Sequence, residues 1–161
     1  MVTPNDLRAA APELDTTDRA LLRVLRSDAR MANNAIAEKV GIAPSTCHTR
    51  IRRLLDLGVI RGFFADVDPT AVGKPLRAMV AVSLQSDARG RIRHFAGEIG
   101  RSADVIDVFF LAGTDDYMLH VATADTESLR VFVEMLNSRP EVAGTTTSLV
   151  FEHLRGGAPL F

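Results

Sequence analysis

Residues 43–55, Ala43-Pro44-Ser45-Thr46-Cys47-His48-Thr49-Arg50-Ile51-Arg52-Arg53-Leu54-Leu55, put three hydroxyls, an imidazole and three guanidinium groups on one short stretch. Short hydroxyl side chains reach base edges in a DNA groove and arginines hold phosphates, so the set suits the reading of a duplex. Ser45, Thr46, His48 and Thr49 are the candidates for base-edge contacts. Arg50, Arg52 and Arg53 are candidates for phosphate contacts or structural roles, Arg50 having the further option of an acidic neighbour within the fold. Work of this kind needs a rigid support, and Cys47, Ile51, Leu54 and Leu55 recur at helical spacing, which predicts a helix with one apolar face.

A second group with chemical possibilities is Gly113-Thr114-Asp115-Asp116-Tyr117. Glycine admits a ligand close to the backbone, free turn amides accept a carboxylate and an aspartate pairs with an ammonium; an amino acid needs all three. The same residues are favoured in any tight turn, so ordinary turn chemistry is the alternative. Thr145-Thr146-Thr147, on a predicted strand, offers further hydroxyls. The four histidines, His48, His94, His120 and His153, fall in different elements without metal-ligand spacing, and no phosphate loop, nucleophile elbow or clustered carboxylate pair is present. No catalytic residue, metal or cofactor is expected, and His120 reads as a strand residue at the edge of a core. The single Cys47 excludes an intrachain disulfide and reads as a small core residue, with a redox switch as the alternative.

The elements that must position the first group lie just upstream. Asp15 caps a predicted helix running to about Asp28, with Asp18 at its positive end and Leu21, Leu22 and Leu25 inward. Asn33 to Val40 forms a short second helix, Gly41 supplies a left-handed turn, and Pro44 suits the first position of the third helix. Three helices in this order make a helix-turn-helix, although a small three-helix domain with a solvated arginine face has the same pattern.

The second half alternates differently. Arg77 to Gln85 predicts a strand, Asp87 to Gly100 a helix, and Val105 to Leu111 and Tyr117 to Val121 a hairpin around the 113–116 turn. A helix from about Thr126 to Ser138 and a strand from Thr145 to Phe151 complete a strand-helix-strand-strand-helix-strand order, the split βαβ arrangement with both helices on one face of an antiparallel sheet. The uncovered sheet face would be apolar, so dimerisation is expected. Between the halves, Gly62 to Pro69 carries adjacent phenylalanines and predicts a strand paired with its equivalent in a partner.

Composition fits this plan. The chain has 161 residues, 47 % apolar and 24 % charged, enough for two small domains. No apolar run is long enough to span a bilayer and the first dozen residues lack the features of a signal peptide, so a cytoplasmic location is expected. Net charge is only −1, but residues 15–67 carry nine basic against six acidic side chains and residues 68–161 nine against twelve. A modest excess of three cannot hold DNA tightly, so two or more copies must act together.

Several of these segments together carry a family resemblance: Leu14-Asp15-x-x-Asp18, Asp28-Ala29-Arg30, Ile36-Ala37-x-x-Val40-Gly41-Ile42, Pro44-Ser45-Thr46, Arg50-Ile51-x-x-Leu54 and Gly58-Val59-Ile60-Arg61-Gly62-Phe63. In order and spacing they resemble the Lrp/AsnC transcriptional regulators over nearly the whole chain after residue 13. The resemblance implies an α+β protein, a winged-type helix-turn-helix domain at 14–60 followed by a ferredoxin-like βαββαβ sensory and oligomerisation domain at 76–153. A disordered arm at 1–13, a connecting strand and linker at 61–75 and a tail at 154–161 complete it. It further implies double-stranded operator DNA as partner, a small-molecule effector such as an amino acid bound at Gly113, Asp116 and Tyr117, and homodimers assembling into octamers. Three positions depart from the family pattern. Ala32 and Ala43 stand where helix-capping serines or threonines are usual, with Asn33 able to take over for the second helix. Asp115 replaces an aromatic residue, which favours a polar or cationic amino acid. Alternative readings are an enzyme of related architecture, such as a sirohaem decarboxylase, a ligand-independent DNA-organising protein, and a sensory domain kept only for assembly.

Overall fold

The computed structural model describes residues 12–86 and 92–154, which form two compact units divided between Ala65 and Asp66. Most of the expected disordered arm, the start of the helix expected from Asp87, and the tail beyond Leu154 lie outside the described residues.

In the first unit, α1 (Thr16–Ser27) begins at a complete capping box: the Asp18 amide donates to Asp15 Oδ1 at 2.7 Å and the Asp15 amide to Asp18 Oδ2 at 3.4 Å. Its leucines at 21 and 25 meet Ile36 and Ala37 of α2 (Asn33–Val40) and Cys47 of α3 (Pro44–Asp56), a small core made by short helices crossing. Gly41 ends α2 with φ +73°. An added Cβ there would meet nothing within 4 Å, so the cost of Gly41→Ala is conformational alone, roughly 1–2 kcal/mol, readable as a lower denaturant midpoint with an unchanged slope. Pro44 opens α3 as expected. Asn33 does not cap α2. It is the first helical residue, with Ala32 in the cap position, and its side-chain amide donates instead to the carbonyl oxygen of Pro44 at 2.9 Å, joining α2 to the start of α3.

The second unit contains β1 (Leu76–Leu84), α4 (Ile92–Ile99), β2 (Val105–Phe110), β3 (Tyr117–Thr123), α5 (Thr126–Asn137) and β4 (Val142–Val150). The sheet is antiparallel in the order β2-β3-β1-β4, the split βαβ topology. Alternate residues Ala78, Val80 and Val82 of β1 and Tyr117, Leu119 and Val121 of β3 face Phe95 and Ile99 of α4 and Leu129, Phe132 and Leu136 of α5, all buried. The opposite rows place Ala81 beside Met118 and Phe109, and Met79 beside His120, with Phe109 exposed. Asp125 caps α5 by accepting from the Ser128 amide at 2.7 Å. No strand forms over 61–68: among the described residues no strand lies beside it, and Phe64 is 83 % exposed.

Candidate functional site

Cys47 and Leu54 are fully buried, and on a helix of 3.6 residues per turn the stripe opposite them is Ser45, Thr49 and Arg52. All three are exposed, as are Thr46, His48 and Arg53, while Arg50 is half-buried. The Thr49 hydroxyl donates back to the Ser45 carbonyl at 3.0 Å, fixing its rotamer. Burial raises the Cys47 thiol above its ordinary value and keeps it a core group.

The three arginines differ. Arg50 Nη1 donates to Asp15 Oδ2 at 2.7 Å and Asp18 Oδ1 at 2.9 Å; Arg53 Nη1 donates to Asp18 Oδ2 at 3.1 Å and its Nη2 to the Glu13 carbonyl at 3.4 Å. Arg52 has no ion pair among the described residues. The Asp18 amide, and then the Arg50 guanidinium, hold the Asp15 carboxyl below the ordinary aspartate range, and those two carboxylates raise Arg50. A groove between the start of α1 and the exposed flank of α3 is lined by Asp15, Asp18, Ser45, Thr46, Thr49 and Arg53, among others.

The 111–116 loop between β2 and β3 is tied to β1. The Leu84 amide donates to Asp116 Oδ2 at 2.7 Å where the β1–β4 register slips, and the Ser83 hydroxyl donates to Asp115 Oδ1 at 3.0 Å. The Asp116 amide donates to the Val82 carbonyl, and the Leu111 amide to the Asp116 carbonyl. Asp116 therefore works as a side-chain stand-in for a missing strand partner. Asp116→Ala should lower stability by about 1–3 kcal/mol, because it strands the Leu84 amide; equilibrium unfolding checks this. Tyr117 is fully buried against Phe95 and Phe110, at ring separations of 5.4 and 5.3 Å; burial, and then the Asp116 charge, raise its phenol. Gly113 and Thr114 are exposed. Thr145 turns its hydroxyl to Asn137 of α5.

One grouping was not foreseen. On the open sheet face His120 Nδ1 lies 3.3 Å from Asp107 Oδ2, the His120 and His153 rings stand 5.9 Å apart, and Arg77 Nη1 is 3.4 Å from His153 Nδ1. Asp107 and His120 meet through cross-strand register and His153 joins them from beyond the end of β4, so local spacing held no signal for the group. Among the described residues no group of His, Cys, Asp or Glu has metal-binding geometry, and no described helix is long and apolar enough to cross a membrane.

Comparison with known proteins returns two family models: one described as winged helix-turn-helix DNA-binding matches residues 14–61, and one described as Lrp/AsnC ligand binding domain matches residues 77–159. The HTH-type transcriptional regulator AldR of Mycobacterium tuberculosis is 64 % identical over 156 residues, covering 96 % of this chain and 86 % of that protein. The crystal structure of MtbAldR superposes with a TM-score of 0.73 at 60 % identity, covering 91 % of this chain and all of that one. A transcriptional regulator of Neisseria meningitidis, solved as its L-methionine complex, superposes with a TM-score of 0.82 at 31 % identity, covering 92 % and 97 %.

Proposed function

Since the chain belongs to the Lrp/AsnC family of transcriptional regulators, with a DNA-binding and a ligand-binding domain, we propose that it reads an operator through α3 and answers an amino acid by changing its assembly. The observation that carries the first part is the exposure of Ser45, Thr46, His48 and Thr49 on a helix whose other face is locked into a core. In this reading they contact base edges, Arg50, Arg52 and Arg53 serve phosphate or structural roles, and two copies place their helices in successive major grooves. The protein works in the cytoplasm, where such DNA lies, and has no catalytic role.

The effector sits at the 113–117 loop. Gly113 and Thr114 offer exposed backbone to a carboxylate, Asp115 and Asp116 brace the loop against β1, and Tyr117 holds it from the core. The L-methionine complex of the Neisseria regulator supports an amino acid as the ligand class, and Asp115 adds charge that suits a polar or cationic one. The open sheet face, with Met79, Met118 and Phe109, is covered by a second copy, and the 61–68 segment pairs with its counterpart there; dimers then join into larger rings such as octamers. Ligand energy must differ between these assemblies to shift them.

Gel-shift with DNA upstream of the protein's own and neighbouring genes, repeated with each amino acid, tests this reading. A selective shift altered by one amino acid is expected; none at physiological salt would favour the decarboxylase-like or assembly-only readings. Gly113→Ala adds a finer check. Its Cβ meets nothing within 4 Å and its backbone lies outside the left-handed region, so unfolding should be unchanged while the amino-acid response of the assembly, read by sedimentation, weakens.

A further inference from the structure

Asp18 is the one buried charged side chain among the described residues, 1 % exposed. A carboxylate at that depth is retained only when fully paired. It lies at the start of α1, where the helix dipole favours negative charge, and both its oxygens are taken by α3: Oδ1 by Arg50 and Oδ2 by Arg53. Asp15 completes the set by accepting from Arg50 while capping α1. One capping box therefore does two jobs. It starts α1 and grips α3 at two points three residues apart, about one helical turn, which resists both sliding and rolling of α3 against α1.

Resting on the DNA-reading role of α3, we propose that Asp18 is the positioning residue of the recognition helix, that Arg50 and Arg53 act through it to set the angle at which Ser45 and Thr49 are presented, and that Arg52 alone of the three arginines contacts phosphate. A phosphate drawing Arg50 or Arg53 away would leave the Asp18 carboxylate buried with a partner missing, whereas Arg52 stands on the exposed stripe with no such tie. The two kinds of arginine thus have different signatures. A phosphate contact contributes to every sequence equally and adds about 0.9 to the salt slope per contact, while a positioning contact contributes to sequence discrimination and adds nothing to the slope.

The test uses the full chain, a duplex that the unchanged protein selects from a random library, and a scrambled duplex of equal length, each titrated over a range of salt concentrations. Arg52→Gln should weaken both duplexes alike and lower the slope by about 0.9 per engaged subunit. Arg50→Gln, Arg53→Gln and Asp18→Asn should leave the slope unchanged and reduce the ratio of selected to scrambled affinity by roughly tenfold, the size of one lost base contact. Asp18→Asn combined with Arg50→Gln should be no worse than the more damaging single change, since both remove the same link. Should Asp18→Asn fail to fold, the two arginine variants carry the test. A slope lowered by Arg50→Gln or Arg53→Gln as much as by Arg52→Gln overturns the proposal and makes those arginines phosphate ligands. If the unchanged protein selects no duplex at all, the DNA-reading role itself is overturned and this proposal with it.

Discussion

A variant with alanine at Ser45, Thr46, His48 and Thr49 is expected to unfold at nearly the temperature of the unchanged protein and to lose about a hundredfold or more in discrimination between a selected and a scrambled duplex. All four side chains are exposed, and their one side-chain hydrogen bond among the described residues, from Thr49 to the Ser45 carbonyl, is also exposed, so its removal strands no buried group. Alanine also favours the helix slightly. Each good base contact contributes about 1–3 kcal/mol, so two or three lost together account for the expected ratio. Non-specific binding should persist, because Arg52 and the rest of the basic unit are untouched. Paired titrations of the two duplexes, with a thermal scan, check both halves of the expectation.

Tyr117→Ala should have the largest effect on the second unit, a loss of about 3–5 kcal/mol in unfolding free energy. The ring is fully buried and fills the space between Phe95 of α4 and Phe110 of β2, and so holds the start of β3 to both. Losing it opens a cavity that the strand register cannot close. Tyr117→Phe keeps the ring and should cost far less. Denaturant unfolding of both variants reads this directly. Near-normal stability of Tyr117→Ala would mean that the ring is a replaceable wall of the proposed effector site rather than a part of the core.

The helices and strands were legible because apolar spacing and end signals agree. Asp15, Gly41 and Pro44 mark ends that the backbone uses as expected, and the order of elements in the second half reads directly into the sheet topology. The misreadings concern groups whose partner is distant in sequence. Asn33 looked like a cap because capping is local, but its amide serves Pro44, eleven residues on. Arg53 reads equally as a phosphate contact or a structural group, and only its Asp18 partner, 35 residues away, shows the structural tie. Asp116 also has a structural role that its neighbours in sequence do not signal, since Oδ2 accepts from the Leu84 amide where β1 slips register. The apolar segment at 62–69 predicts a strand, yet a strand needs a neighbour that a single chain does not supply.

In the proposed function α3 reads sequence. Selection of duplexes by the full-length protein from a random library, read by deep sequencing, tests it most directly. The expected result is an enriched motif of two related half-sites in inverted orientation, about one helical turn or a multiple of it apart, which disappears when Ser45, Thr46, His48 and Thr49 are alanine. A library that emerges with no enriched motif, or a motif unchanged in the alanine variant, would contradict it.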